Sequence, residues 1–364
     1  MSLPQLTLIF PLYQAENKID DLIAAVQAQK HPSGAAEPWF NVLWIDNASA
    51  DGTVARLKEA FQRLGQPANW HIEVNPKNLG LSRSLNRAFE LAGTPFALTC
   101  HADCRFASPT YAAEMLELLQ KNPDVAAITG VPSIPTTARD LPTAETVNLI
   151  TNLMDLFPPS GTDPIQEVGF AEGRCDGFRI EALRKAGFYD TNLSLAGEDQ
   201  VLAARLRKLG YRVCQAPRLF YFLSVSYQQD SLFKLARHHH LFGKSHPYVL
   251  FAERGTGAGA AGAAAGSNRR KRTLLRLTHL AASAGYVASL GLLVVGQWPV
   301  AVTLLVAILG VKLMLFAPSI LSLKPPMGAL LALFGFQPVF DVAYTAGFVR
   351  GIIQLPGAMR GKAI

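Results

Sequence analysis

From Thr273 onward the chain carries almost no charge, and this constrains its fold more than any other feature. Thr273–Gly296 holds one charged side chain, Arg276, with His279 beside it, and Trp298–Ile320 holds only Lys312. Helices of this length rise about 35 Å, enough to cross a hydrocarbon core of about 30 Å. The other home for such segments is the interior of a large soluble core. A polar Gly/Ala stretch, Gly255–Ser267, and the cluster Arg269-Arg270-Lys271-Arg272 stand directly before them, which favours the membrane. A third apolar segment, Met327–Phe348, contains Pro338 and Asp341 and reads as a third span, a re-entrant hairpin or an interfacial helix. The chain thus divides into a body over 1–253, a flexible linker with the basic cluster over 254–272, and a membrane domain over 273–364. Its spans are expected at 273–296 and 298–320, with the third apolar segment at 327–348.

Charge is split along the same lines. From Arg254 to the end there are eleven Lys/Arg and one acid, Asp341; residues 1–253 hold 23 basic and 26 acidic residues. A mildly acidic body lacks the basic face that nucleic-acid binding requires, so no nucleic-acid partner is expected. The basic tail suits an anionic membrane surface. Arg269–Arg272 and Arg276 before the first span, Lys324 after the second, and Arg350, Arg360 and Lys362 beyond all favour the cytoplasmic side. That predicts a multi-pass protein of the inner (plasma) membrane with an even number of crossings and a cytoplasmic body. Four cysteines (Cys100, Cys104, Cys175, Cys214) make no disulfide framework in a body this size and read as reduced thiols. The first apolar run, Leu6–Leu12, has no basic flank or small-residue cleavage site and is one strand long, so it reads as a strand rather than a signal peptide.

Within the body, short apolar runs alternate with helical spacing. Strands are expected at Leu6–Leu12, Phe40–Ile45, His71–Val74 and Phe96–Cys100. Helices are expected over 16–30, from about Thr53, and from about Ser82 to Ala92. This alternation predicts an α/β domain with a mainly parallel central sheet, whose ligands sit beyond the C-terminal ends of its strands. Residues 125–180 are less periodic and read as further strands with a mobile substrate-side loop near Phe157–Glu167. A helix over Glu198–Leu209 and a strand over Tyr211–Gln215 follow.

Four places carry candidate chemistry. Asp46 ends an apolar strand, where a carboxylate can accept hydrogen bonds from a nucleotide base or ribose; the turn after it also serves as a helix cap. Asn75-Pro-Lys-Asn-Leu-Gly80 forms a tight Asn/Gly loop that can bond either its own backbone or a ligand. His101-Ala102-Asp103 follows a strand directly, and Asp103 is a hard oxygen donor suited to Mg²⁺ or Mn²⁺ on a diphosphate. A zinc site is the rival there, but it lacks a second Cys/His pair at a usable spacing. Glu198-Asp199 opens a helix, where adjacent acids either favour the helix dipole or supply a general base.

In this order the pieces resemble the family 2 glycosyltransferases, which have the GT-A (Rossmann-like) fold, over about residues 4–245. The family's opening Pro-x-Tyr-Asn appears as Pro11-Leu12-Tyr13-Gln14. Its Val-Asp-Asp-x-Ser-x-Asp-Gly-Thr appears as Ile45-Asp46-Asn47-Ala48-Ser49-Ala50-Asp51-Gly52-Thr53. Its Asn-x-Gly loop and following Asn appear as Asn78, Gly80 and Asn86. The Asp-x-Asp motif falls on His101-Ala102-Asp103, without the first acid. Phe178-Arg179 followed by Gly187-Phe188-Tyr189-Asp190 resembles a later family stretch, and Glu198-Asp199 resembles its Glu-Asp motif. The Gln-x-x-Arg-Trp of processive members is absent. In its place Arg237-His238-His239-His240 leads into Gly243-Lys244, which looks like the ending of membrane-anchored exopolysaccharide transferases of the succinoglycan type. The triple His reads as a metal site or, in preference, as a solvated or membrane-proximal helix end.

The resemblance implies an inverting transferase that uses a nucleotide-diphosphate sugar donor. Pro11, Tyr13, Glu16, Asp46, Asn78, Gly80 and His101 would line the donor, and Asp103 would hold the divalent cation. Asp199 would act as base on the acceptor hydroxyl with Glu198 orienting it, facing Asp103 across the donor site. The membrane tail adds a lipid-linked or glycan acceptor. Two other classes compete: a non-catalytic nucleotide-sugar-binding scaffold in which His101 marks a decayed metal site, and a nicotinamide oxidoreductase. The latter lacks its Gly-x-Gly-x-x-Gly fingerprint after the first strand.

Overall fold

The computed structural model describes residues 4–358 apart from 32, 35–38, 134–137, 157–162, 194–195, 225–229 and 255–262. The first half of the body follows the expected alternation: β1 (Leu6–Leu12), α1 (Ile19–Gln27), β2 (Phe40–Asp46), α2 (Thr53–Arg63), β3 (Trp70–Val74), α3 (Leu81–Leu91) and β4 (Phe96–Thr99). β5 (Cys104–Phe106), α4 (Tyr111–Lys121), β6 (Val125–Ser133) and α5 (Thr143–Leu156) follow. Then come β7 (Gln166–Glu167), β8 (Asp176–Arg179), α6 (Ile180–Ala186), α7 (Glu198–Lys208) and β9 (Arg212–Leu223). The nine strands form one sheet in the order β3-β2-β1-β4-β8-β6-β9-β5, with β7 pairing β9. β3, β2, β1 and β4 run parallel to one another, as expected. Beyond β4 the sheet is mixed: β8 runs antiparallel between β4 and β6, and β6 pairs β9 in parallel.

Strand alternation divides the core into two layers. Leu6, Leu8 and Phe10 enter one layer with Trp44, which stacks on Phe10 at 4.4 Å between ring centroids. Ile9, Leu43 and Ile45 enter the other, with Phe89 of α3 and Phe178 of β8. All four cysteines are free and buried.

Four long helices complete the chain: α8 (Leu232–Ala252), α9 (Ala263–Val294), α10 (Trp298–Leu323) and α11 (Met327–Ala358). Stretches of α9, α10 and α11 are long and apolar enough to cross a membrane: Leu274–Val294, Trp298–Leu323 and Met327–Gly357. Two details differ from expectation. The basic cluster 269–272 lies inside α9 rather than in a linker; most of the predicted linker, 255–262, is outside the described residues, as are 157–162 of the predicted loop. The third apolar segment is one unbroken helix through Pro338 and Pro356, so it is not a re-entrant hairpin.

The triple His is neither solvated nor at a helix end. It lies within α8, where the ring of His239 stacks on Phe340 at 4.9 Å and His240 Nδ1 meets the Ala343 carbonyl at 3.1 Å. The reason is backbone-to-backbone packing of α8 on α11. A Cβ on Gly243 would stand 2.0 Å from Tyr344 O, one on Gly347 2.0 Å from His240 O, and one on Gly351 2.1 Å from Lys244 O. Small residues let two helices approach this closely. The contacts Phe233–Phe336 and His239–Phe340, then Lys244 against Gly351, rise together in number, so the two helices run in parallel. The apolar helices are joined by a buried polar knot. Lys312 Nζ donates to Asp341 Oδ1 at 2.6 Å, and Gln337 Nε2 donates to it at 3.0 Å. His279 Nδ1 stands 2.5 Å from it, and the Tyr286 hydroxyl donates to Oδ2 at 3.1 Å. A charge buried among apolar helices is tolerated when it is paired and hydrogen-bonded in this way.

Candidate active site

Register brings the candidate residues to one edge. Leu12 pairs with Asp46, so the chain leaves β1 and β2 level with each other, while β4, whose last residue Thr99 pairs with Ile9, ends lower on the same side. Asp46 pairs with Val74, which places Asn75 beside Asn47. Because these strands are parallel, their C-terminal ends open on the same side, where α/β sheets bind ligands. A cleft of about 570 Å³ lies there, lined among others by Pro11, Tyr13, Asn47, Asn78, Gly80, Arg83, His101, Asp103, Thr191 and Leu193.

The Ser49-Ala50-Asp51-Gly52-Thr53 stretch shapes this edge by fastening the loop after β1. Gln14 N donates to Ser49 Oγ at 2.8 Å, Ala15 N to Thr53 Oγ1 at 2.8 Å and Glu16 N to Asp51 Oδ2 at 3.2 Å. In return, Gly52 N donates to Glu16 Oε2 at 3.0 Å. A Cβ at Gly52 would stand 2.5 Å from Glu16 Oε1, so a larger residue there would displace the Glu16 carboxylate from this bond. Asp46 is fully buried, and its carboxylate accepts from the backbone N and hydroxyl of Ser49. Glu16 and Asp46 therefore tie the loops at this edge together and are not among the residues lining the cleft.

On the opposite wall, Asn47 Nδ2 donates to Asn78 Oδ1 at 2.8 Å, and Asn47 Oδ1 accepts from Leu79 N at 2.8 Å and Asn75 Nδ2 at 3.1 Å. Gly80 then turns into α3 at φ +82° and ψ 163°, a conformation open essentially to glycine alone. Asn86 of α3 exchanges two hydrogen bonds of 2.9 Å with the backbone of Tyr189, fixing the approach to Thr191 and Leu193.

His101 and Asp103 stand at the centre. The Nε2 of His101 is sealed from solvent and has no hydrogen-bond partner. Burial, opposed by Asp103 and reinforced by Arg174, holds its pKa down at about 4, so the ring is neutral and able to ligate at neutral pH. Asp103 turns its backbone carbonyl to Ser224, accepting from N at 2.7 Å and Oγ at 2.9 Å. Among the described residues its carboxylate accepts a thiol contact from Cys104 at 3.5 Å, and the Arg174 guanidinium interacts with it electrostatically. One imidazole and one carboxylate fit a divalent cation as a partial ligand set. Among the described residues no group of three or more His, Cys, Asp or Glu converges, so the remaining positions fall to a ligand or water.

Glu198 and Asp199 begin α7 and are not on the cleft's lining. Gly197 before them packs on α8, where a Cβ would stand 2.7 Å from Val249. Burial pushes the Glu198 carboxyl up, and its Oε2 is sealed without a partner. Asp199 Oδ1 accepts from Gln200 N at 2.7 Å. Sequence reasoning passed over Asn47, Arg83 and Arg174. Asn47 was legible as the second residue of the Asp-Asn pair. Arg83 and Arg174 belong to no motif and acquire their positions from the packing of α3 and the turn before β8. Asp176 in β8 was also passed over: it is fully buried, and burial pushes its pKa to about 7.

Residues 7–187 match the family model described as Glycosyl transferase family 2. No curated protein sequence matches the chain significantly. Among solved structures, the chain is similar to the mannosyltransferase PcManGT from Pyrobaculum calidifontis in complex with GDP-Man and Mn²⁺. The TM-score is 0.56 at 17% identity, over 97% of this chain and 88% of that one. It is also similar to GalNAc-T7 with UDP, GalNAc and Mn²⁺, with a TM-score of 0.50 at 11% identity, over 68% of this chain and 51% of that one. At these identities the likeness is one of fold, and both neighbours share the GT-A arrangement of the body.

Proposed function

Because the chain carries a family 2 glycosyltransferase domain and is a glycosyltransferase, we propose that it moves a sugar, with inversion, from a nucleotide-diphosphate sugar to a lipid-linked glycan acceptor. The reaction is placed at the cytoplasmic face of the inner membrane, within polysaccharide biosynthesis. The observation that carries this reading is the His101–Asp103 pair at the strand-end cleft, where an imidazole nitrogen without a hydrogen-bond partner among the described residues stands beside a carboxylate. Both structural neighbours were solved with Mn²⁺, which supports the same ion here.

Pro11, Tyr13 and the Asn78–Gly80 loop bind the nucleotide, with Glu16 and Asp46 holding that wall in shape. Asp103 and His101 hold the Mg²⁺ or Mn²⁺, and the imidazole favours Mn²⁺. Such an ion, when bound, neutralises charge on a diphosphate leaving group. Asp199 accepts the proton of the acceptor hydroxyl and Glu198 orients it. The experiment is a thermal-shift screen of nucleotide sugars with and without Mn²⁺, because a ligand of the native state alone raises the melting temperature. If no nucleotide sugar shifts the melting temperature in either condition, the donor assignment fails.

For topology, we read α9 and α10 as the two crossings and α11 as an interfacial helix. α11 runs beside α8, whose Lys234, Arg237, Lys244 and four histidines do not belong in hydrocarbon. Its 32 residues extend about 48 Å, well beyond a bilayer core of about 30 Å. Met327, Leu331, Val342, Val349 and Ile353 are exposed on one helical face, the stripe expected of a helix lying in the interface.

A further inference from the structure

The first turn of α3 opens into the strand-end cleft, where Leu81, Ser82 and Arg83 line the wall. No side chain caps this end, and among the described residues the backbone N–H groups of these three have no partner. The helix's own bonding starts with Ser84 N, which donates to Gly80 O at 3.1 Å. Free N–H groups and the positive end of the helix dipole attract an anion. Ser82 is only 6% exposed, yet it lines the cleft and its hydroxyl has no hydrogen-bond partner among the described residues. Arg83 is the one permanent cation among the described lining residues, and Asp103 the one acid. Arg83 is exposed and makes no hydrogen bond or ion pair among the described residues. A cation in a first turn opposes the helix dipole, and no acid in that turn offsets it. Arg87, one turn later, is by contrast fully engaged: it donates to Glu73 Oε2 at 2.6 Å, Asn75 Oδ1 at 2.7 Å and Val74 O at 3.2 Å.

We propose that this turn is a second anion subsite of the donor cleft and holds a carboxylate on the transferred sugar, so that the donor is a nucleotide-diphosphate uronic acid. The inference rests on the proposed donor chemistry and names the class of sugar. In that chemistry a cation at Asp103 and His101 meets the diphosphate, and Pro11, Tyr13 and the Asn78–Gly80 loop meet the nucleoside. A further cation in the same cleft calls for a further anion, and the sugar is the part of the donor left to supply it. The placement agrees. Asn86, on the next turn of α3, holds the backbone of Tyr189 and so brings Thr191 and Leu193 to the same cleft. From there the chain runs into Glu198-Asp199, the proposed base, which must reach an acceptor hydroxyl beside the sugar. The planar fork of a guanidinium matches the two oxygens of a carboxylate, and the Ser82 hydroxyl and the free N–H groups of the turn supply further donors to them.

The test uses the full chain in detergent with Mn²⁺ and measures dissociation constants by isothermal titration. The probes are UDP-glucuronate against UDP-glucose, and GDP-mannuronate against GDP-mannose. For the base that the cleft accepts, the uronate should bind about ten- to hundred-fold more tightly than its neutral counterpart, the weight of hydrogen bonds to a charged group. Arg83→Gln should remove that preference and leave the affinity for the neutral sugar nucleotide as it was. Arg83→Lys should keep part of the preference, because it retains the charge without the fork. Ser82→Ala should lower it by less than Arg83→Gln does. Without ligand, Arg83→Gln should melt at or above the temperature of the unaltered chain, because it takes a cation out of the first turn, and this shows that the variant is folded. Equal affinity for the uronate and the neutral sugar nucleotide would overturn the proposal, as would a preference that survives Arg83→Gln. A loss of the same size for both members of a pair would place Arg83 on the diphosphate and overturn the sugar assignment. If none of the four probes binds, the proposed donor chemistry fails and this inference with it, whereas binding of the neutral donors alone sinks only this inference.

Discussion

Gly347→Ala places two known effects in opposition, and the geometry decides between them. Within a helix, alanine is favoured over glycine by about 0.5–1 kcal/mol, because glycine loses more backbone freedom on folding. At 347 the added Cβ would stand 2.0 Å from the carbonyl oxygen of His240 and 2.9 Å from Lys244 N. Both are backbone atoms, so no side chain can swing away. α8 and α11 must move apart by about 1 Å, and overpacking of this kind costs about 1–3 kcal/mol. The separation also stretches the His240–Ala343 contact of 3.1 Å. The net expectation is destabilisation by about 1–2 kcal/mol. Gly335→Ala in the same helix meets nothing within 4 Å, so only the propensity gain remains and the chain should be stabilised. Thermal unfolding of the full chain in one detergent measures both, with about 2 °C expected per kcal/mol. If the two variants shift the melting temperature in the same direction, the close α8–α11 crossing is wrong.

Asp103→Ala should abolish the Mn²⁺ dependence of donor binding; isothermal titration with unchanged, metal-sensitive affinity would remove Asp103 from that role. Asp199→Asn should lower transfer by about 10²–10⁴-fold, the usual weight of general-base catalysis, with donor affinity unchanged. Should Glu198→Gln abolish transfer while Asp199→Asn leaves it intact, the two roles are exchanged, which the raised pKa and orphaned oxygen of Glu198 would then explain. Stability should also depend on pH through His101. The unfolded chain takes up this proton as pH falls through about 6.5 but the folded chain only near 4, so stability is lost as pH falls across that window. His101→Gln should flatten this part of the melting-temperature profile between pH 7 and pH 5, and an unchanged profile would contradict a buried neutral imidazole.

The sequence by itself determined the parallel half of the sheet, the strand-end position of the site and the three apolar helices. These are local matters. The continuous apolar runs Leu6–Leu12 and Phe40–Asp46, and the near absence of charge after Thr273, act within a few residues of themselves. The Ser49–Thr53 motif was legible as a motif, but its work was not: it fastens Gln14, Ala15 and Glu16, more than thirty residues away. For the same reason Asp46 and Glu16, which looked like ligand contacts, serve as supports of the cleft wall. α4, α5, α6 and α8 escaped the reading, and α8 least resembles what it does. Its histidines look solvated in sequence, yet His238–His240 are part-buried and His246 is buried, because Gly243, Gly347 and Gly351 bring two helix backbones together across about a hundred residues of chain. Pairings of that range depend on which surfaces remain exposed once the sheet and its helices have packed. Only the tertiary structure decides this, because burial belongs to the whole assembly of elements and periodicity to a single one.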